Sequence, residues 1–329
     1  MQAPHRILGS FGGFDPERGQ TVFEPELDEP GYWIGCPGVL YERDAGRFLM
    51  TYRQRRPRGH DIERGWRCAI AESADGVQWH DIWEVRKTEF ASSSMERFSL
   101  LPAPCGGYLL YVSYVDPTDN RWRVDVIAAD APDAFDVAQR KPALTAASTG
   151  TEGVKDPYAV RVGPSVQLLV SFSAATGLTE AQRAKAHAKA DIYTTGVGVF
   201  PTGLASSLDG MNFNWHGPVL DVGPRWDGYQ TRLNSAIDIG GWYLGFYDGS
   251  GSERDNYEER TGIALSKDLR HWLRLSVDEP WLTSPHASGC LRYLDAVAVD
   301  DEWFAFYEYA RPSGAHELRL SRFPMNGTA

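Results

Sequence analysis

The chain has 329 residues, 42% of them hydrophobic, and a formal net charge of −11. That acidity argues against nonspecific binding to nucleic acid or to an anionic membrane surface, and no run of about 18 apolar residues is present to span a bilayer. Aromatics reach 12%, with 33 Gly and 20 Pro, a balance of strand formers and turn formers that predicts an all-β protein.

In chain order, the opening Met1-Gln2-Ala3-Pro4-His5-Arg6 lacks the apolar core of a signal peptide, so a cytoplasmic location is expected. A repeat then organises everything that follows. Ser73-Ala74-Asp75-Gly76-Val77-Gln78-Trp79 recurs as Ser207-Leu208-Asp209-Gly210-Met211-Asn212-Phe213 and as Ser266-Lys267-Asp268-Leu269-Arg270-His271-Trp272. A worn copy, Ala129 to Phe135, fills the gap between the first two. The Asp-Gly step supplies a tight turn, and the aromatic opens the next strand as a packing anchor.

A second element keeps the same period: Arg47 to Tyr52, Tyr108 to Tyr114, Val166 to Phe172, Trp242 to Tyr247 and Trp303 to Tyr307. Each follows a shorter apolar strand, namely Val39 to Tyr41, Phe98 to Leu101, Tyr158 to Val162, Leu233 to Ile239 and Leu294 to Val299. A spacing of roughly 60 to 75 residues suits a four-stranded blade. The expectation is one domain over residues 1–329, a five-bladed β-propeller with four-stranded antiparallel blades. The last blade shows three strands, so the N-terminal segment around Arg6 to Phe11 is expected to pair with it and close the ring. Thr179 to Ala190, rich in good helix formers without an apolar stripe, predicts one short exposed helical insertion in the third blade.

Five blades, Ser-x-Asp-Gly-x-x-Trp turns and the acid-Pro pair of Lys155-Asp156-Pro157 resemble the five-bladed propeller glycoside hydrolases. These include the arabinanase/xylosidase (family 43), invertase (family 32) and mannoside phosphorylase (family 130) groups. The resemblance implies cleavage or transfer of a glycosidic bond by carboxylates at the funnel centre. It also implies that Asp156 steadies the transition state or tunes the acid's pKa. One departure stands out. Those relatives carry an Asp in the first blade, where this chain reads Gly35-Cys36-Pro37-Gly38.

Glycoside cleavage needs two carboxyl groups flanking the bond, one protonated and one ionised. Position at the start of an inner strand selects Glu96, Asp156 and Asp295 as catalytic candidates, with Glu152 just upstream; Glu96, the longer side chain, is the favoured proton donor. Arg53, Arg97, Arg232 and Arg292 are candidate substrate clamps, able to grip a carboxylate or phosphate if the carbohydrate is anionic. Asp227, Tyr229 and Asn234 join them from blade four, and Trp33, Tyr158, Trp226 and Tyr229 are candidate platforms for a sugar ring. Cys36, Cys68, Cys105 and Cys290 lie far apart, and His60, His216, His271 and His286 are scattered, so no metal or cofactor is expected. The expected function is a glycosidase acting on a small saccharide. The alternatives are a phosphorylase, a sugar-modifying biosynthetic enzyme, or a propeller that only binds a sugar or a partner.

Overall fold

The computed structural model describes Gly9, residues 11–174 and residues 177–325. Its strands form three four-stranded sheets and one of eight, antiparallel but for one parallel pair. The first sheet in the chain begins with β2 (Trp33–Glu42), β3 (Arg47–Arg56), β4 (Arg64–Ser73) and β5 (His80–Arg86). Three meanders follow: β6 (Ser99–Pro102) to β9 (Lys141–Leu144), β10 (Val154–Val162) to β13 (Asn214–Leu220), and β14 (Gln230–Asp238) to β17 (Trp272–Arg274). The last strands, β18 (Leu291–Val299), β19 (Glu302–Ala310) and β20 (His316–Pro324), rejoin β2 through one parallel pair, Trp33 with His316. Hydrogen bonding therefore gives four sheets where the sequence predicts five separate ones.

Ring closure uses a different stretch from the one expected. The strand that pairs with β20 is β1 (Gln20–Phe23), antiparallel, with Gln20 opposite Leu320. Residues 1–8 and 10 lie outside the described residues. Phe11 contributes by packing instead, its ring 4.9 Å from Trp303 and 5.2 Å from Phe246 and Phe323.

The repeated turns fold as their sequence dictates. Asp209 Oδ1 accepts from the Met211 and Asn212 amides at 2.8 Å, while Ser207 Oγ accepts from the Gly210 amide at 2.9 Å. The Ser73 and Ser266 copies repeat these bonds. In both Trp copies the indole N–H closes the turn, at 2.9 Å on Gly76 O and 3.0 Å on Leu269 O.

The inserted helix, α2 (Glu180–Ala188), follows a short α1 (Ala146–Thr149) and is capped by Thr179 and Gln182. It is not a purely solvated element. Ala186 and His187 are buried, and the chain beyond them carries Ile192 and Tyr193 into an aromatic cluster with Trp122, Phe200, Tyr229 and Tyr257. No described helix is long and apolar enough to cross a membrane.

Candidate active site

Four of the first strands share a defect that aims side chains at the centre. Register shifts by one residue between Gly35 and Gly38, Lys155 and Tyr158, Leu233 and Ser235, and Arg292 and Asp295. Such bulges free one residue from the ladder and turn its side chain. In three of the four, Cys36, Asp156 and Tyr293, the bulged residue has φ between 54° and 56°, an uncommon conformation for a non-glycine residue. Asp156-Pro157 thus lies within β10 rather than at its head. Proline is tolerated there because the bulge needs no ladder donor.

Asp156 is fully buried and held from four directions. Arg232 Nη1 approaches Oδ2 at 2.8 Å, Lys155 Nζ lies 3.6 Å from the same oxygen, and the Arg97 amide and Tyr293 hydroxyl donate to Oδ1 at 3.2 and 3.4 Å. Glu96, 1% exposed, pairs with Arg53 Nε at 3.3 Å and Arg55 Nη1 at 3.2 Å. Burial alone would raise its pKa, but Arg53, Lys155 and Arg55 outweigh that and hold it at about 2. Glu96 is therefore ionised in this arrangement, which runs against its expected role as proton donor.

Three acids outside the expected set complete the network. Asp248 lies 2.6 Å from Arg232 Nη2; Glu259 lies 2.6 Å from Arg292 Nη1; Glu308 lies 2.6 Å from Arg292 Nη2 and 3.3 Å from Arg53 Nη2. Glu308 also accepts from the Cys36 amide at 3.2 Å. Gly35 makes this possible, since a Cβ there would lie 2.1 Å from Glu308 Oε2. Burial opposes ionisation of Glu259, but Arg232 and Arg292 hold it at about 2. Asp248 goes the other way, raised to about 6 by burial and by the nearby Glu259 charge, which Arg232 does not offset. Cys36 stands where the relatives' first-blade Asp was expected. Its sulfur accepts from Arg53 at 3.0 and 3.2 Å, and burial pushes its thiol up to about 12.

Lys155 stands in the middle. Its ammonium lies 4.1 Å from the Tyr193 ring centroid, 4.8 Å from Tyr257 and 5.1 Å from Trp122. It has no hydrogen-bond partner among the described residues, and neither have Arg53 Nη1, Asn234 Nδ2 and Gln230 Oε1. Tyr193 and Tyr257 belong to the same cluster as the insertion, which is tied down beside them. Asp191, just past α2, accepts from the Tyr257 hydroxyl at 2.7 Å and pairs with Arg58 and Arg64.

Other expected site residues are placed elsewhere. Arg97 pairs with Asp295 at 3.5 Å and donates to the carbonyls of Pro37 and Asn234, bridging first strands across the axis. Asp295 also accepts from the Val39 amide at 2.9 Å, and burial raises its carboxyl to about 6. Tyr158 lies against Arg97, 5.2 Å away. Glu152 pairs with Arg121 at 2.9 Å and with Arg183 and His187 of α2 at 2.5 and 2.8 Å, so it holds the insertion. Asp227 pairs with Arg274 of β17 at 2.9 Å. Trp33 is stacked on His316 at 4.4 Å with Arg55 and Arg292 close by, Trp226 on Tyr247 at 5.6 Å, and Tyr229 donates to Tyr193 O. Asn234 accepts from Arg232 Nε at 3.3 Å, inside the network.

Asp248 and Glu308 had a signal in the sequence. They follow Tyr247 and Tyr307 as Arg53 follows Tyr52, one step beyond the same aromatic of the second strand. Aligning the repeats by that tyrosine places Arg53 and Glu308 opposite the residue that opens a first-strand bulge, and Asp248 opposite Arg232, one step before the bulge of β14.

This strand order and the meeting of first strands at one centre define the fold class: the chain has the fold of the propeller glycoside hydrolases that its sequence resembles. Neither a family model nor a curated relative matches it by sequence. Among solved structures, a glycoside hydrolase matches with a TM-score of 0.69 at 14% identity, over 98% of this chain and 96% of its own. A thermostable family-43 glycoside hydrolase gives 0.63 at 14%, over 88% and 89%. The β-1,2-mannobiose phosphorylase of Listeria innocua, solved with β-1,2-mannobiose, gives 0.61 at 14%, over 95% and 93%.

Proposed function

We propose that the protein is a five-bladed propeller enzyme that processes the glycosidic bond of a small saccharide at this buried centre. The eight-stranded sheet divides at the single Trp33–His316 pair into a first blade, β2 to β5, and a fifth, β18 to β20 closed by β1. The observation that carries the functional reading is the convergence of Glu96 and Asp156, from successive blades, on one cluster in which Lys155 touches the field of both. Glu96, ionised, serves as the carboxylate that attacks or activates the acceptor, and Asp248, whose carboxyl burial raises to about 6, gives the departing oxygen its proton. Asp156, fixed by Arg232 and the Arg97 amide, faces the charge that develops on the sugar. Buried polar atoms without partners are costly, and Lys155 Nζ, Arg53 Nη1, Asn234 Nδ2 and Gln230 Oε1 are the groups that sugar hydroxyls would satisfy. The buried cations here are matched by acids, so a neutral saccharide suits the site better than an anionic one.

One observation favours a second reading. Each acid of the network is engaged by an arginine, and Cys36 replaces the first-blade carboxylate, an arrangement suited to binding without hydrolysis. A screen of aryl pyranosides and furanosides, each with and without phosphate, separates the readings. Aglycone release without phosphate supports a hydrolase, and phosphate-dependent release a phosphorylase. Saturable saccharide binding with no release on any substrate would leave only the binding reading.

A further inference from the structure

A second cluster lies beside the centre and takes no part in the chemistry above. The ligand atoms of Glu258, Cys290 and His316 all lie within 4.8 Å of one another, although the residues are separated in sequence and come from three segments. Each is held by its surroundings. The His316 ring is stacked on Trp33 with 9° between the planes, and its Nδ1 lies 2.8 Å from Glu308 Oε1. That contact leaves Nε2 facing Glu258, 3.1 Å away. Cys290 is fully buried, with its carbonyl bonded to the Ala310 amide at 3.0 Å. Tyr257 has φ 73°, and the two residues after it diverge, Glu259 to Arg292 and Glu258 to His316.

We propose that Glu258, Cys290 and His316 bind a thiophilic divalent cation, zinc foremost. The donor set decides the class: a thiolate, an imidazole and a carboxylate suit zinc and cobalt, whereas calcium and magnesium take oxygen ligands. The carboxylate behind His316 is the outer contact that fixes the tautomer and strengthens Nε2 as a ligand. An imidazolium bridging Glu308 and Glu258 would account for both histidine contacts without a metal. It leaves the Cys290 sulfur unexplained, because that sulfur has no hydrogen-bond partner among the described residues. On binding, the Cys290 thiol gives its proton to solvent and its sulfur lone pair to the cation. Glu258, whose side chain is 29% exposed, provides the way in, and three protein ligands leave a fourth position open. Because Glu308 also contacts Arg53, Arg292 and the Cys36 amide, a cation on His316 would stiffen one wall of the sugar site.

The test uses the full chain, stripped with a chelator and titrated with cobalt(II). The expected result is about one equivalent bound per chain, with an intense near-ultraviolet thiolate-to-cobalt band that zinc displaces and Cys290→Ser abolishes. A spectrum like that of aqueous cobalt, or a band that survives Cys290→Ser, overturns the proposal. Should Cys290→Ser fail to fold, Glu258→Gln decides. Loss of about tenfold or more in cobalt affinity supports the site, and unchanged affinity overturns it.

Discussion

Two sets of carboxylates in this molecule have depressed pKa values for opposite reasons. On the rim, Asp75, Asp209 and Asp268 sit in exposed turns and are held first by hydrogen bonds from within three residues, such as the Asn212 amide on Asp209 and the His271 ring on Asp268. At the centre, Glu308 is held by Arg292, Arg53, His316 and the Cys36 amide, from elements up to 272 residues away in sequence. Each rim acid is a local device that one segment can build alone. The central acids form a single coupled unit that exists only when the blades are assembled, because removing one charge strands its partners in a low-dielectric interior.

The largest effect is therefore expected at a shared cation. Arg232→Ala strands Asp156, Asp248 and Glu259 and should cost ~3–5 kcal/mol of stability in urea unfolding; a loss below about 1 kcal/mol, the scale of a surface pair, would mean the network is not coupled.

Acid should expose the same difference. Glu96 and Glu259, at about 2, lie below the unfolded value of about 4.3, so their stabilisation is complete above that value and lost as pH falls toward 2. Asp248 and Asp295, at about 6, run oppositely: the native state keeps protons that the unfolded chain releases, so stability falls as pH rises from about 4 to about 6. The urea midpoint should peak near pH ~4–5 and decline on both sides, and Asp248→Asn should flatten the alkaline decline. A midpoint that climbs steadily to pH 7 would contradict these assignments.

Glu152→Gln tests a boundary case, a buried acid that serves the insertion rather than the central cluster. It should increase proteolytic cutting within 179–200 while changing global stability by only about 1–2 kcal/mol; equal protection in the variant would remove the latch. The smallest effect belongs to the rim. Asp209→Ala should cost about 1 kcal/mol, as a lost cap does, with activity unchanged, and a catalytic defect there would erase the distinction between the two sets.

The same contrast explains what the sequence discloses. The Ser-x-Asp turns and the alternating second strands are local, so their positions and the existence of repeated meanders are legible directly. The N-terminal closing strand is not, because Gln20 to Phe23 pairs with a partner about 300 residues away and carries no repeat signature. Within the site, Glu96, Asp156, Arg53, Arg232 and Arg292 follow from their places near the starts or ends of inner strands. Asp248 and Glu308 are marked only by the tyrosine before each of them, because an acid inside a buried strand is expected only once its cation is known. Glu152 misleads because its neighbour is an inserted helix with no counterpart in the other repeats. Cys290 and His316 share no spacing motif, and only assembly of the ring brings them to Glu258.

The central claim is that Glu96 and Asp156 act together on one glycosidic bond. It is tested most directly by aglycone release from the best aryl glycoside, comparing the wild type with Glu96→Gln and Asp156→Asn, each shown by its unfolding curve to be folded. The account predicts a fall in turnover of about 10²-fold or more in each variant, with saccharide binding retained. Turnover within a fewfold of wild type in either one would contradict it.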